Sequence, residues 1–204
     1  MIKIGYLVPI VIIKALPNYD SYLTMIPDTA FMAILPKKFA SMTWRIGDAT
    51  VGCVHMMSDN HIVLSQLSSM YYRKLMDMIL SPAEGVSVKR TATVGSAGFV
   101  KVAIMSESGV NPIPLSLPYL QHTKQYTSRT ITLVSYSHDM EEYIKAALAP
   151  APSDMIQEVI YNRNMHEADV YVPEDYIGKF YGKGGLNVAT AAKLTGVRIT
   201  LKLY

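Results

Sequence analysis

Three glycines in four residues, Gly182-Lys183-Gly184-Gly185, interrupt a segment whose flanks are both helical in pattern. On the N-terminal side, Pro173 with Glu174 and Asp175 marks a helix start: proline suits the first helical position, and acids meet the positive helix end. Tyr176, Ile177 and Phe180 recur at helical spacing behind it. The helix cannot run through the glycines, which cost backbone entropy there. Beyond them Val188, Ala191, Ala192 and Leu194 form an apolar stripe, and Gly196 stands where a helix C-terminal glycine belongs. Val197, Ile199, Leu201 and Leu203 then alternate with Arg198, Thr200 and Lys202, a strand with one wet face. Val170 to Leu203 therefore predicts helix, tight turn, helix and strand.

Such a turn has a chemistry. With no side chains at Gly182 and Gly185, phosphates can come close to backbone N–H groups at a helix N-terminus, and Lys183 adds a cation at the tip. A Walker loop is excluded, because Gly178 to Gly182 leaves three intervening residues and Gly184 follows Lys183. A dinucleotide fingerprint is excluded because a helix, not a strand, precedes the turn. The four residues alone fit a purely structural helical hairpin equally well. The wider layout resembles a KH domain, whose GXXG loop clamps a nucleic-acid backbone.

Longer stretches carry a more specific resemblance. Val172-Pro173-Glu174-Asp175-Tyr176-Ile177, the glycine tetrad, Asn187-Val188 and Lys193-Leu194-Thr195-Gly196 are together similar to the last KH module of the bacterial NusA family. Ala146 to Ala151 resembles the helix end between that family's two KH modules. Ile34-Leu35-Pro36 and Ile62-Val63-Leu64-Ser65 resemble its S1 domain, an OB-fold barrel. The resemblance implies an α+β chain: an S1-like OB-fold β-barrel over 1–67, a degenerate KH module with a linking helix over 68–138, and a KH module with intact GXXG over 139–204. Both modules would follow αββααβ order, like bacterial type II KH domains. It also implies contact with nascent transcript, with RNA polymerase or other transcription proteins as further partners. The family's N-terminal polymerase-binding domain has no counterpart in these residues.

The upstream chain reads compatibly. Leu7 to Ile13, Tyr19 to Ile26, Phe31 to Leu35, Ala49 to His55 and Ile62 to Gln66 are strand-like, separated by Pro17-Asn18, Pro27-Asp28, Gly47-Asp48 and Ser58-Asp59-Asn60 as turns. Five strands suit a small barrel that binds oligonucleotides on one face. Lys37, Lys38 and Arg45, with Tyr19, Tyr22, Phe39 and Trp44, supply a basic surface with stacking platforms, although most such aromatics belong to cores. Met70, Leu75, Met76 and Ile79 predict the linking helix.

An internal repeat follows. Leu80-Ser81-Pro82-Ala83 and Leu148-Ala149-Pro150-Ala151 each end a helix, and each precedes two strands and a proline-marked helix start, at Pro112 and Pro173. Gly95-Ser96-Ala97-Gly98 is also GXXG but lies between strands, as a hairpin turn. In the first copy the tetrad's place is taken by Pro118-Tyr119-Leu120-Gln121, and no glycine occurs between Asn111 and Arg129. That copy cannot form the usual clamp. It is a spacer, an RNA contact through Tyr119, His122 and Lys124, or a partner surface.

Net charge is mild, 19 basic minus 16 acidic residues, or +3, which permits RNA binding through local patches. Cys53 is the only cysteine, which fits a reducing compartment. The apolar stretch from Ile4 to Ile13 is too short to span a membrane, so a cytoplasmic protein is expected, in the host cytoplasm if phage-encoded. The five histidines stand in no metal-ligand pattern, so neither catalysis nor a cofactor is expected. The expected partner is single-stranded RNA, held by Gly182, Lys183, Gly184, Gly185 and Asn187, with Lys179, Lys193, Arg198 and, in the barrel, Lys37, Lys38 and Arg45. The alternative is a protein-interaction scaffold with decayed RNA-binding modules. Aspartate at Gly182 or Gly185 is expected to repel phosphate while leaving the fold intact.

Overall fold

The computed structural model describes residues 2–58, 61–94 and 99–204. The Ser58-Asp59-Asn60 turn beyond Ser58 and the Gly95 to Gly98 turn lie outside the described residues. The chain divides into two compact units, 1–80 with 119–129, and 81–118 with 130–204.

In the first unit all five expected strands form: β1 (Leu7–Leu16), β2 (Ser21–Met25), β3 (Met32–Pro36), β4 (Ala49–Ser58) and β5 (His61–Ser65). They close into a barrel in the order β1-β2-β3-β5-β4, which fits an OB-fold. Alternation fills its interior with Ile10, Ile12, Tyr22, Leu35, Val54 and Leu64. Buried Gln66 joins its surroundings: Oε1 accepts from the Ser41 amide and, at 2.8 Å, from Trp44 Nε1, while Nε2 donates to the Val51 carbonyl at 2.7 Å.

The helix α1 (Ser69–Leu80) belongs to this unit. Leu75, Met76 and Ile79 are buried as their spacing predicts. Met70 is 45% exposed, however, and the inward positions go to Tyr71 and Tyr72. Their hydroxyls meet the segment 119–129, Tyr71 donating to the Tyr126 carbonyl at 3.0 Å and Tyr72 pairing with Thr127 Oγ1 at 3.2 Å. Burial pushes both phenols above their ordinary range.

The second unit holds both copies of the repeat. In the first, β6 (Val86–Thr93) pairs antiparallel with β7 (Phe99–Ser106), and β7 pairs parallel with β8 (Thr130–Ser135). In the second, β9 (Glu158–Asn162) pairs antiparallel with β10 (Glu167–Val172), and β10 pairs parallel with β11 (Arg198–Leu203). The two topologies are the same. What crosses over differs. The first copy has α2 (Pro112–Leu120), followed by a 3-10 turn, Gln121–Gln125, that belongs with 119–129 to the first unit. The second has α4 (Ile177–Tyr181), the glycine turn, and α5 (Leu186–Thr195). Before β9 lies α3 (Met140–Ala147), capped by Asp139, whose Oδ1 accepts from the Glu142 amide at 3.0 Å.

One core serves both copies, Ala92, Ala103 and Val134 of the first packing with Tyr143, Ile144, Phe180, Ala191 and Leu194 of the second. Cations of the first copy also cap helices of the second. Arg90 Nη1 donates to the carbonyls of Leu194 and, at 2.8 Å, Thr195, at the C-terminal end of α5. Lys101, fully buried on β7, donates from Nζ to the carbonyls of Ala147 and Ala149, where α3 ends. The partial negative charge of a helix C-terminal end favours donors at both places.

Burial pushes the Lys101 ammonium down to about 7 from 10.5. Between those values the unfolded chain keeps a proton that the folded chain has released, so stability rises with pH through that window, and the penalty is full below about 7. Lys101→Met should cost about 1–3 kcal/mol through its unmet carbonyls. Urea denaturation of both proteins at pH 7, 8 and 9 should show wild type gaining stability relative to the variant as pH rises.

Candidate nucleic-acid interface

The glycine turn has the conformation that its composition demands. Gly182, Gly184 and Gly185 have φ of 68°, 61° and 74°, where an L side chain is strained by about 1–2 kcal/mol. The Gly182 amide donates to the Gly178 carbonyl at 2.9 Å, and the Gly185 amide to the Gly182 carbonyl at 3.1 Å. The amides of Lys183 and Gly184 head the exposed tip and are not donors in these bonds. Lys183 is exposed beside them, directly ahead of α5.

Asn187, the second residue of α5, is buried. Its Nδ2 donates to the Leu148 carbonyl at 2.8 Å and to the Phe180 carbonyl at 2.9 Å. It thereby fixes the turn to the ends of both α3 and α4. A Cβ at Gly182 would stand 2.8 Å from Asn187 Cβ, whereas Gly184 and Gly185 have open space. The expectation that Gly182 tolerates aspartate without harm to the fold is therefore corrected: this position lacks both the conformation and the room.

The remaining sequence-derived residues are dispersed. Lys179 is exposed with Nζ 4.5 Å from the Tyr176 ring centroid. Lys193 spends its ammonium on the Thr93 carbonyl, at 2.8 Å, joining α5 to the first copy. Arg198 pairs with Glu167 at 3.1 Å on exposed surface. In the other unit Lys37 pairs with Asp20 at 3.0 Å, Lys38 Nζ lies 5.1 Å from the Phe39 ring centroid, and Arg45 is exposed. Of the proposed stacking residues, Tyr22 and Trp44 are core, Phe39 is half-buried and Tyr19 is 78% exposed. Phe99 was missed by sequence reading. It lines a pocket with Lys183, Leu186 and Asn187, and nothing local to β7 marks it for that place.

Among the described residues no His, Cys, Asp and Glu cluster is placed to hold a metal, and no helix is long and apolar enough to cross a membrane. Burial raises the Cys53 thiol, as for an inert core cysteine.

Residues 140–203 match the model of the NusA-like second KH domain. The chain is similar to NusA proteins. Over 182 residues it is 25% identical to the transcription termination/antitermination protein NusA of Borreliella burgdorferi, covering 83% of this chain and 37% of that protein. The NusA of Mycobacterium tuberculosis is 26% identical over 74% of this chain and 45% of its own length. That of Bacillus subtilis is 36% identical over 35% of this chain and 19% of its own. The chain thus spans less than half the length of these curated relatives.

Backbone strain gives a test of the turn. Gly185→Ala should cost about 1–2 kcal/mol. Gly182→Ala should cost more, because it adds the contact with Asn187. Chemical denaturation of the two variants should rank them in that order.

Proposed function

We propose that the chain is a non-enzymatic, single-stranded RNA-binding protein built as an S1-like OB-fold barrel and two KH modules. The second module carries the phosphate clamp. The observation that carries this reading is the turn at Gly182, Gly184 and Gly185, held left-handed ahead of α5 with Lys183 at its exposed tip. Glycine, which alone adopts these φ values without strain, leaves the backbone bare, and the helix end favours an anion. The match of residues 140–203 to a NusA-like KH domain supports it. Resemblance to NusA over most of the chain supports a role on transcripts, in elongation, termination or antitermination, or in mRNA binding and protection. RNA polymerase is a candidate partner under this reading, and a pull-down that returns RNA without polymerase would remove it.

A scaffold with decayed RNA modules is the second reading. It is favoured by the ties of Lys193 and Arg198 within the protein, which reduce the cations free for phosphate.

The readings part on one measurement. Fluorescence anisotropy with short single-stranded RNAs should show Lys183→Glu weakening binding far more than Gln121→Glu, since Gln121 lies on the 3-10 turn that replaces the clamp. The salt slope should be about −2 to −4 for wild type and shallower by about 0.7 for Lys183→Glu. A salt-independent or absent signal would favour the scaffold.

A further inference from the structure

The outer wall of the barrel is as patterned as its interior. Alternation turns Tyr22, Thr24, Ala33, Leu35 and Leu64 inward, all of them buried, so their strand neighbours Leu23, Met25, Met32, Ile34 and Val63 point outward. The register joins these outward residues across the strands. Leu23 stands opposite Ile34, Ile34 opposite Val63 and Val63 opposite Met56, one row over β2, β3, β5 and β4. Met25 opposite Met32 begins a second row beside the first. All six residues are apolar and none is buried. Met25, Met32 and Met56 keep 40%, 51% and 59% of their surface exposed.

Single exposed apolar residues are ordinary, but a contiguous apolar patch marks an interaction site. The chemistry of this patch narrows its occupant. Neither row contains a cation, whereas single-stranded nucleic acid needs a positive groove. A cation stands only at the end of the first row, where Lys14 of β1 lies opposite Leu23. Lys14 is exposed and takes no part in the ion pairs among the described residues. Methionine is unbranched and polarizable, which suits a surface that repacks around a partner's side chains. Size narrows the occupant further. Six residues are far fewer than the roughly 20–30 a side of a stable protein–protein interface, which argues against a second copy. Four strands spaced by about 4.8 Å set the ends of the first row about 14 Å apart. That is the length of about nine residues of α-helix, and two rows about 7 Å apart fit beneath one helix of about 10 Å diameter.

We propose that the outer face of β2, β3, β5 and β4 docks one amphipathic α-helix of a partner protein, with its apolar stripe on the two rows and an acidic residue at Lys14. A helix presents such a stripe through side chains at i, i+3, i+4 and i+7. The net charge of +3 favours an acidic partner in the same sense as Lys14. This face shares no residue with the glycine turn, so it holds or fails independently of RNA binding there.

The test uses the full chain, isotope-labelled at its methionine methyl groups and followed by NMR. The probe is an acidic helical peptide of about 14 residues with leucine at i, i+3, i+4 and i+7 and glutamate on its other faces, set against a scrambled peptide of equal composition. The helical peptide should move the Met25, Met32 and Met56 signals and leave buried Met76 in place, and the scrambled peptide should move none of them. Met32→Glu should weaken the peptide about tenfold, with an unchanged circular dichroism melt and unchanged RNA affinity. Should Met32→Glu melt early, Met25→Glu serves the same comparison from the facing strand. Lys14→Glu should also weaken the peptide. Methionine signals that ignore the helical peptide, or answer both peptides alike, would overturn the proposal. The same signals moving on dilution of the chain alone would put a second copy on this face, and moving with a short single-stranded RNA would put nucleic acid there, each in place of the helix.

Discussion

At the C-terminal end of α3, three consecutive carbonyls, of Ala147, Leu148 and Ala149, receive side-chain donors. Lys101 serves the first and third, and Asn187 the second. An unmet carbonyl in such a place costs about 1–3 kcal/mol, so these bonds are constraints and not ornaments of the packing. Lys101 sits on the central strand of the first copy and Asn187 at the start of α5, immediately after the glycine turn. One helix end thus holds both the first copy's sheet and the second copy's turn.

That arrangement gives the first copy a structural task. Arg90 caps α5 at its far end, Lys193 answers from α5 to the Thr93 carbonyl, and Tyr143 donates to the Leu194 carbonyl at 3.3 Å. With both ends of α5 secured, the bare amides at its head are held in place before any ligand arrives. Under the proposed function such a turn would work by preorganisation, because donors that need no rearrangement lose less entropy on binding.

The place where the first copy departs from the second is equally physical. Pro118 lies inside α2 and cannot donate an amide, α2 ends two residues later, and no glycine is at hand for a left-handed turn. The chain runs into a 3-10 turn, and residues 119–129 pack with the barrel unit. There Ser41 Oγ donates to the Tyr126 carbonyl at 2.6 Å and Ser128 Oγ to the Ser41 carbonyl at 2.9 Å. Where the second copy has its glycine turn, the first copy has a segment that makes these contacts instead.

Short-range patterns were legible in the sequence. The glycine tetrad predicted a tight turn between two helices, the alternation from Val197 to Leu203 predicted a strand, five apolar runs with turn residues between them suited a small barrel, and the repeated helix–strand–strand signal supported two copies of one module. Each of these depends on residues within a few positions of one another, where periodicity and steric limits act directly. The fate of individual side chains was not legible. Lys193 and Arg198 read as free cations beside the turn, and Asn187 as an RNA contact, but their partners are Thr93, Glu167, Leu148 and Phe180. Arg90 meets a carbonyl 105 residues away and Asn187 one 39 away. Such pairings follow from which surfaces meet once the elements have formed, and no local period encodes that. The sequence by itself determined a tight, cation-tipped turn between two helices. Only the tertiary structure decided that Asn187 would hold it, and that Phe99 would stand beside it, because both depend on where the first copy's sheet comes to rest.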